Sequence, residues 1–486
     1  MALPRPVPLS GRAGVPPLAS TIDASHAALG SFLQQRHWLR RTADTPVQLV
    51  HVPTQRPGPA FTGQHAATAA AAAPAAPAAR ATGPAAAGWW LLRDDLLHPV
   101  LGGNKVRKLD GLLPELVQAG VTDVVTCGGV QSAHTAAVAV AAAELGLRSH
   151  LLIRGEAPQV PTGYQLVTRM YGTHVSYVTR AEYADRAAMF DRRVEQVRQQ
   201  DAAAKVAVIA EGGGDAAALL GLVRLSHWLL GAASTCGVGS SSSGGGAPGE
   251  QDARQLLPEG LGSSRRLVTD VGALPHPQST PYRILVDSGT GTTAIGLAIG
   301  IALLGLPWTV VGIMLAGEES YYRSQAQQLL SSFLQRYGPE LYGIGRAEAT
   351  GLGGARGGSS TVGASATAAA AEAGGAGEAS AGALPLQWVP RLVPRRFGKV
   401  FPQDIATCKQ VAQSHGIGLD PIYSLSAWEL ACWEAQQAAV AAAAAAPAAG
   451  AVDAGMGGVT ATPVVMLHGG GALGLHGLAQ RYPGAF

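Results

Sequence analysis

The stretch RILVDSGTGTTAIGLAIGIALLG, residues 283–305, places a strand, a glycine turn and a helix in one continuous run. RILV is a short apolar segment, and the apolar residues after the glycines continue long enough to form a buried helix. A strand that passes through a glycine turn into a helix is the repeating unit of parallel α/β sheets. The stretch therefore predicts an α/β fold with parallel sheets.

The apolar run continues beyond this unit and raises the question of a membrane span. Residues 294–317 contain no charged side chain and are long enough to cross a bilayer. Gly300, Gly305 and Pro307 divide this run into a helix of about a dozen residues followed by the strand WTVVGIML. We interpret it as a buried helix and strand, and we expect no association with a membrane.

The same order of strand, glycine turn and helix recurs earlier in the chain. Apolar runs that predict strands alternate with segments that have helical periodicity: VTDVVTCGG (121–129), SAHTAAVAVAAAELGL (132–147), SHLLIRG (149–155), YQLVTRMYG (164–172), HVSYV (174–178) and KVAVIAEGG (205–213). Ligands of such folds gather beyond the carboxyl ends of the strands. The glycine turns are therefore where we expect chemistry.

Composition excludes several classes of function. The chain has 486 residues, of which 14% are charged, and its formal net charge is +3, so no basic surface indicates nucleic-acid binding. Its four cysteines, at positions 127, 236, 408 and 432, form no CxxC pair. We expect neither a disulfide framework nor a structural metal site, and a reduced intracellular compartment fits this pattern.

The N-terminal segment MALPRPVPLSGRAGVPPLAS has the composition of an organelle transit peptide. It contains Arg5 and Arg12, and no acidic residue precedes Asp23. A plain disordered tail over residues 1–30 is the alternative. A transit peptide would indicate an organelle, with the mitochondrion favoured over the chloroplast, whereas a tail would indicate the cytoplasm.

Four low-complexity tracts are predicted to be surface loops or linkers, because they bury too little apolar area to offset chain entropy. They cover residues 62–88, 237–264, 346–384 and 436–458. The remainder has about the size of an ordinary two-domain enzyme.

The turn DSGTGTTA, residues 287–294, is a candidate anion cradle. Glycines allow successive backbone N–H groups to face one ligand, and the following helix N-terminus adds positive potential. The turn lacks the lysine of an ATP-binding loop and the complete GxGxxG of a dinucleotide site, so a phosphate is the favoured ligand. A tight connection without a ligand is the alternative.

The turn CGGVQSAHT, residues 127–135, is the second candidate. Ser132 and Thr135 fall in the first helical turn, where hydroxyl groups cap the helix and N–H groups bind carboxylates. Ser132 is either a simple N-cap or a ligand-binding residue. A hydrolase with Ser132 as nucleophile and His134 as base is disfavoured, because residues two apart on a helix do not face each other and no GxSxG motif is present.

Three further motifs contain candidate residues. GGNKVRKL, residues 102–109, concentrates Lys105, Arg107 and Lys108, which predicts either a solvated turn or an anionic ligand. LDPIYS, residues 419–424, places Tyr423 after a proline-fixed turn, as a cleft residue or a packing tyrosine. MLHGGGALGLHG, residues 466–477, contains a glycine triplet that suits a close-lying planar ligand or a tight turn.

These motifs in this order resemble the pyridoxal-phosphate enzymes of the D-cysteine desulfhydrase and 1-aminocyclopropane-1-carboxylate deaminase family. The resemblance extends from about Trp89 to Tyr482, with Ser132 of GGVQS 27 residues after Lys105. GGVQSAHTAAVAV and DPIYSLSAWE are most similar to a plant and algal branch of the desulfhydrases. The resemblance implies fold type II, with two doubly wound domains and the cofactor in the cleft between them. We assign residues 31–107 and 226–486 to the larger domain and residues 108–225 to the smaller one.

The resemblance implies roles for three catalytic residues. Lys105 matches the lysine that forms a Schiff base with pyridoxal 5'-phosphate, and we expect Arg107 and Lys108 to lower its pKa. Ser132 matches the serine at the substrate carboxylate. Tyr423 matches the tyrosine near the reacting amino group or the leaving group.

The resemblance also implies the cofactor-binding residues, and no metal. Besides Lys105 they comprise the phosphate cup and two groups beside it: Ser288, Gly289, Thr290, Gly291, Thr292 and Thr293, then Asn104, Gly469 and Gly470.

The implied activity is the elimination of D-cysteine to pyruvate, hydrogen sulfide and ammonia by a homodimer that binds a small amino acid. Deamination of the cyclopropane amino acid is one alternative, and a reaction on another D-amino acid or a β-substituted alanine is a second. A protein of another class, a carrier or sensor that binds the cofactor without turnover, is the third.

Four positions depart from the family pattern. Ala133 replaces an asparagine that bonds the ring oxygen of the cofactor, and Ser424 replaces the glutamate of the deaminases. Gly469 replaces a threonine near the pyridine nitrogen, and Phe397 stands where relatives often have tyrosine. A missing partner at the ring nitrogen would weaken the electron sink.

Overall fold

The computed structural model describes residues 15, 17–51, 88–236, 267–350, 384–445 and 462–486. Two separate sheets organise this part of the chain, one of seven strands and one of four.

The larger sheet has the strand order β10-β9-β8-β11-β2-β1-β7. Its strands are β1 (Val47–His51), β2 (Gly88–Leu92), β7 (Val268–Asp270), β8 (Arg283–Ser288), β9 (Thr309–Met314), β10 (Leu386–Pro390) and β11 (Val464–Leu467). The pairs from β2 through β11, β8 and β9 to β10 are parallel, with Met466 of β11 opposite Leu285 of β8. The carboxyl ends of β8 and β11 therefore lie side by side.

The smaller sheet is parallel throughout, in the order β5-β4-β3-β6. Its strands are β3 (Asp123–Gly129), β4 (Arg148–Arg154), β5 (His174–Val178) and β6 (Val206–Val208). All four coincide with predicted strands, and the α/β fold is confirmed.

The expectation of purely parallel sheets is wrong for one side of the larger sheet. Strand β1 pairs antiparallel with both β2 and β7, so that His51 lies opposite Gly88. Antiparallel neighbours can be joined without a crossover to the opposite end of the sheet. The end of β1 and the start of β2 accordingly meet at one edge of this mixed sheet.

Twelve α-helices accompany the sheets in the described part of the chain. They are α1 (Ile22–Gln34), α2 (Gly103–Gln118), α3 (Ala133–Glu144), α4 (Gly163–Tyr171), α5 (Arg180–Ala184), α6 (Arg186–Gln200), α7 (Ala216–Cys236), α8 (Thr292–Leu304), α9 (Glu319–Thr350), α10 (Pro402–His415), α11 (Ser424–Ala445) and α12 (Gly474–Arg481). Short 3-10 helices cover Asp94–Leu96 and Pro483–Ala485.

Helix α8 is apolar on all sides because it lies inside the core of the larger sheet. Its glycines allow close contact with α7: a Cβ atom on Gly296 would lie 2.7 Å from Cβ of Leu222, and one on Gly300 would lie 2.7 Å from Oγ of Ser226. In the described residues, no helix is both long and apolar enough for a transmembrane span.

The predicted N-terminal tail of residues 1–30 is wrong for its last part, because α1 begins at Ile22 and buries Leu29 and Phe32 completely. These side chains join the core around α7, α8 and α9, which offsets the entropy of ordering the segment. The predicted loops are also wrong where helices continue into them, α9 to Thr350 and α11 to Ala445. Residues 52–87, 237–266, 351–383 and 446–461, which include the rest of the four tracts, lie outside the described residues.

Candidate active site

The start of α2 and the end of β11 lie against each other and bring four predicted cofactor residues together. Gly102 and Gly103 have φ angles of 58° and 61°, and a Cβ atom on Gly103 would lie 1.6 Å from the carbonyl oxygen of Gly469. The backbone N–H of Asn104 donates to that oxygen at 3.2 Å. Lys105 follows directly on the first turn of α2, beside the turn that contains Gly469 and Gly470.

Lys105 and Lys108 form a pair of neighbouring lysines on α2. Burial lowers the pKa of Lys105, although Asp287 at the end of β8 opposes the shift. Burial lowers the pKa of Lys108 well below its ordinary range, and repulsion from Lys105 adds to this shift. The Lys108 ammonium donates to the carbonyl oxygen of Gly212 at 2.8 Å. The helix therefore carries amine groups that lose a proton far more readily than a solvated lysine.

The expectation that Arg107 lowers the pKa of Lys105 is wrong. Arg107 is completely buried and forms two hydrogen bonds with the carboxylate of Asp94, at 2.7 and 3.0 Å. It also donates to the carbonyl oxygens of Ala43 and Asp44. Its charge is compensated on the side of α2 that packs against these residues, so burial is the main cause of the shift at Lys105.

The predicted phosphate cup lies at the start of α8. Gly291 occupies the N-cap position with φ 79°, and no side chain caps the helix, so the first N–H groups of α8 are free for an anion. The hydroxyl groups of Thr290 and Thr292 are 3.0 Å apart. A Cβ atom on Gly212 would lie 2.9 Å from Thr290, so the loop held by Lys108 lies against the cup.

The side chain of Tyr322, on α9, holds the cup in place. Its hydroxyl group accepts hydrogen bonds from the N–H groups of Leu315 and Ala316, at 3.1 and 3.0 Å. It lies 2.6 Å from the carbonyl oxygen of Ser288, to which it donates. Tyr322 is completely buried and thereby joins the ends of β8 and β9. Sequence reasoning missed this residue, because only the fold brings α9 to the glycine turn.

Tyr423 lies on the other side of the cup, where a Cβ atom on Gly289 would be 3.3 Å from its Cε1 atom. Its ring is 37% exposed and packs edge-on against Phe397. Burial at the bottom of the cleft and the carboxylates of Asp420 and Asp287 raise the pKa of its phenol. The phenol is therefore a proton donor near neutral pH that solvent can still reach.

Asp420 orients Tyr423 by capping the start of α11. Its carboxylate accepts hydrogen bonds from the N–H groups of Ile422, Tyr423 and Ser424, and from the Ser424 hydroxyl at 3.0 Å. Ser424 itself is completely buried. The serine that replaces the family glutamate is thus part of a helix cap and does not line the cleft.

Ser132 caps α3, as the simple interpretation predicts. Its Oγ accepts from the N–H of Thr135 at 3.3 Å, and its own hydroxyl proton remains available. His134 is buried beside Lys105 and Lys108, which together with burial lower its pKa. Its Nε2 atom is paired with Thr126 Oγ1 at 2.9 Å, and no contact joins it to Ser132 among the described residues. The hydrolase interpretation gains no support from this arrangement.

Asp287 is the principal cleft residue that sequence reasoning missed. It is the last residue but one of β8, only 7% exposed, and burial and the neighbouring Asp420 raise the pKa of its carboxyl group to about 7. A Cβ atom on Gly469 would lie 3.6 Å from its Oδ1 atom. Its position directly before the glycine turn was the available signal.

These residues fit the predicted cofactor. The uncapped start of α8, with its glycines and threonines, suits a phosphate group, and Lys105 supplies an amine with a lowered pKa. The glycines at 469 and 470 leave the space between the two elements free of side chains. The arrangement therefore accommodates a flat, phosphorylated aldehyde.

Comparison with known proteins agrees with this fit. The family described as "Pyridoxal-phosphate dependent enzyme" matches residues 61–235. A rice protein (Oryza sativa subsp. japonica), provisionally named D-cysteine desulfhydrase 2, mitochondrial, is 36% identical over 82% of this chain and 80% of its own length. A bifunctional D-cysteine desulfhydrase/1-aminocyclopropane-1-carboxylate deaminase, mitochondrial, of Arabidopsis thaliana is 40% identical over 21% of this chain and 26% of its own length.

A crystal structure of a 1-aminocyclopropane-1-carboxylate deaminase homologue has the same fold. It covers 82% of this chain and 89% of its own chain, with a TM-score of 0.53 and 19% sequence identity. The fold prediction, with its two parallel-rich sheets, is confirmed by this likeness.

Proposed function

Because this chain belongs to the pyridoxal-phosphate-dependent enzyme family of the D-cysteine desulfhydrases and 1-aminocyclopropane-1-carboxylate deaminases, we propose that it converts D-cysteine and water to pyruvate, hydrogen sulfide and ammonia. The rice relative, similar over four fifths of its length, has the name of this activity. The observation that supports the proposal most is the arrangement of Lys105, the cup at α8 and Tyr423 around one cleft.

The cofactor, when bound, supplies an electron sink for the carbanion at the α-carbon of the substrate. The start of α8, with Thr290 and Thr292, holds its phosphate, and Lys105 carries its aldehyde. Lys105 has a second task once the substrate amine has taken its place: as a free amine it accepts the α-proton. Burial favours this task because it lowers the pKa of Lys105.

Ser132 and Tyr423 complete the proposed site. The Ser132 hydroxyl and the N-terminus of α3 bind the carboxylate of the substrate. Tyr423 donates a proton to the sulfur atom as it leaves the β-carbon. Its raised pKa keeps the phenol protonated until then. The carrier or sensor alternative requires Lys105 and the cup but neither of these two residues.

Ser424 argues against the deaminase alternative. It donates its hydroxyl proton to Asp420, is completely buried in the cap of α11, and presents no acid to the cleft. A site without that acid favours a substrate with its own leaving group, such as the thiol of cysteine.

The purified protein should be yellow. Borohydride reduction followed by peptide mapping should place a pyridoxyl group on Lys105. Sulfide and pyruvate should be released from D-cysteine, and L-cysteine, D-serine, β-chloro-D-alanine and the cyclopropane amino acid complete the assay. Lys105→Ala should abolish the tag and turnover, whereas Lys409→Ala, an exposed lysine on α10, should change neither.

Three results would contradict the proposal. A colourless protein or a tag on another lysine would exclude Lys105 as the carrier. A preference for the cyclopropane amino acid, with release of 2-oxobutanoate, would support the deaminase. Bound cofactor without a keto acid from any D-amino acid would support a carrier or sensor.

We further propose a mitochondrial homodimer. Arg5 and Arg12 in an N-terminal segment without acidic residues support import, and both plant relatives are named mitochondrial. A fusion of residues 1–21 to a fluorescent protein should enter mitochondria, and cytoplasmic fluorescence would contradict import. Light scattering should give twice the mass of one chain.

A further inference from the structure

The carboxylate of Asp287 is a buried acid without a partner. Apart from its own backbone N–H, it forms no hydrogen bond and no ion pair with any other described residue. Only 7% of its surface is exposed. A buried carboxylate without a partner is unfavourable unless a ligand or a proton completes it.

The surroundings of Asp287 place it in the cleft. It lies at the carboxyl end of β8, one residue before the cup, and its Oδ1 atom is 3.6 Å from where a Cβ atom of Gly469 would be. Lys105 and Lys108 of α2 attract it electrostatically, and Asp420 repels it. No ion pair between Asp287 and either lysine is present, so a space separates them.

The chemistry of the cofactor defines what belongs in this space. The aldehyde carbon and the ring nitrogen are at opposite positions of the pyridine ring, and the phosphate arm is next to the aldehyde. With the aldehyde at Lys105 and the phosphate at α8, the ring nitrogen is the polar ring atom farthest from Lys105.

The other polar groups at this edge of the larger sheet are already paired. The two ring nitrogens of His468 bond to the carbonyl oxygen of Gly418 and the N–H of Gly470. The Asp420 carboxylate and the Ser424 hydroxyl bond to each other in the cap of α11. Gly469 has no side chain. Asp287 is left as the free acceptor among the described residues at this edge.

We propose that Asp287 binds the ring nitrogen of the cofactor and keeps that nitrogen protonated. The inference rests on the proposed function, because it requires the cofactor to be held by Lys105 and the cup. A protonated ring nitrogen makes the ring a stronger electron sink, and a carboxylate is a suitable partner for it. Asp287 thereby replaces the hydroxyl group that Gly469 lacks.

The test is solid-state ¹⁵N NMR of the holoprotein, loaded with cofactor that carries ¹⁵N in the ring. The wild type should give the signal of a protonated pyridinium nitrogen near neutral pH. Asp287→Asn, which has the same shape, should give the signal of an unprotonated pyridine nitrogen. Its cofactor affinity should fall at least about tenfold, which corresponds to about 1.4 kcal/mol. Tyr423→Phe is the matched control, because it alters the same cleft and should leave the ¹⁵N signal in place.

An unprotonated nitrogen in the wild type would overturn the inference, and this measurement does not depend on the folding of any variant. An unchanged pyridinium signal in Asp287→Asn would overturn it as well. In both cases a cofactor still bound to Lys105 leaves the proposed function intact. A protein that binds no cofactor would contradict the proposed function and this inference together.

Discussion

At the scale of the residue, Tyr423 shows how surroundings decide chemistry. Two carboxylates, of Asp287 and Asp420, and the burial of the cleft raise the pKa of its phenol, so it keeps its proton. Asp420 also binds the N–H of Tyr423 at 2.9 Å, which orients the residue at the start of α11. The same acid thus sets both the position and the protonation of the tyrosine.

Tyr423→Phe should reduce the rate of sulfide release from D-cysteine about 10²- to 10⁴-fold, because the leaving sulfur loses its proton donor. Cofactor absorbance should not change, since the ring stays against Gly289. Steady-state assays with β-chloro-D-alanine are the control: chloride needs no proton to leave, so this substrate should be affected far less. An equal loss with both substrates would contradict the assignment.

Asp287 should make the stability of the apoprotein depend on pH. Its folded-state pKa is raised to about 7 from its ordinary value of 3.8, so the folded protein holds a proton that the unfolded chain releases earlier. The apoprotein therefore loses stability from this group as pH rises from about 4 to about 7. Asp287→Asn lacks this loss, and its advantage should grow across this range to at most roughly 4 kcal/mol.

Urea denaturation of both apoproteins between pH 5 and pH 8 measures that difference. The groups that face Asp287 are Lys105 and Lys108 from α2, Asp420 before α11, and Tyr423. Because they are present in both proteins, subtraction removes most of their contribution. A difference that is constant with pH would show that Asp287 has an ordinary pKa.

At the scale of the element, α8 combines two tasks. Its glycines pack against α7 without intervening side chains, and its uncapped first turn offers N–H groups to an anion. The second task requires the preceding turn to be fixed, which Tyr322 achieves through Ser288, Leu315 and Ala316. The cup is therefore supported by a helix distant in sequence.

Tyr322→Phe should destabilise the protein by about 1–3 kcal/mol, because buried N–H groups lose their acceptor. It should also raise the dissociation constant of the cofactor, which fluorescence titration measures. Tyr321→Phe, at an exposed neighbouring position, is the control and should behave like the wild type. Unchanged cofactor affinity in Tyr322→Phe would show that the cup holds its shape without this hydroxyl group.

At the scale of the whole molecule, the Arg107–Asp94 pair joins α2 to the segment before β1. Arg107 contacts Asp94 and the backbone of Ala43 and Asp44, all in a completely buried position. The N-terminal segment, the short helix after β2 and the lysine-bearing helix are thus connected by one guanidinium group.

Arg107→Met should destabilise the protein by about 3–5 kcal/mol, because Asp94 is left as a buried charge without a partner. Arg323→Met removes an exposed partner of Glu319 on α9 and should cost at most about 1 kcal/mol. Thermal denaturation of both variants checks the contrast. Similar losses in the two variants would contradict the structural role of Arg107.

The sequence by itself determined the α/β fold, Lys105 and the phosphate cup, because strand, turn and helix are local patterns and glycine turns mark strand ends. It could not reveal the antiparallel pairing of β1, which depends on contacts across the sheet. Nor could it separate Arg107 from Lys108: adjacent on one helix, they face different surroundings, and only packing shows which charge is neutralised. Asp287 and Tyr322 likewise acquire their roles from partners far away in the chain, since burial and electrostatics act through space.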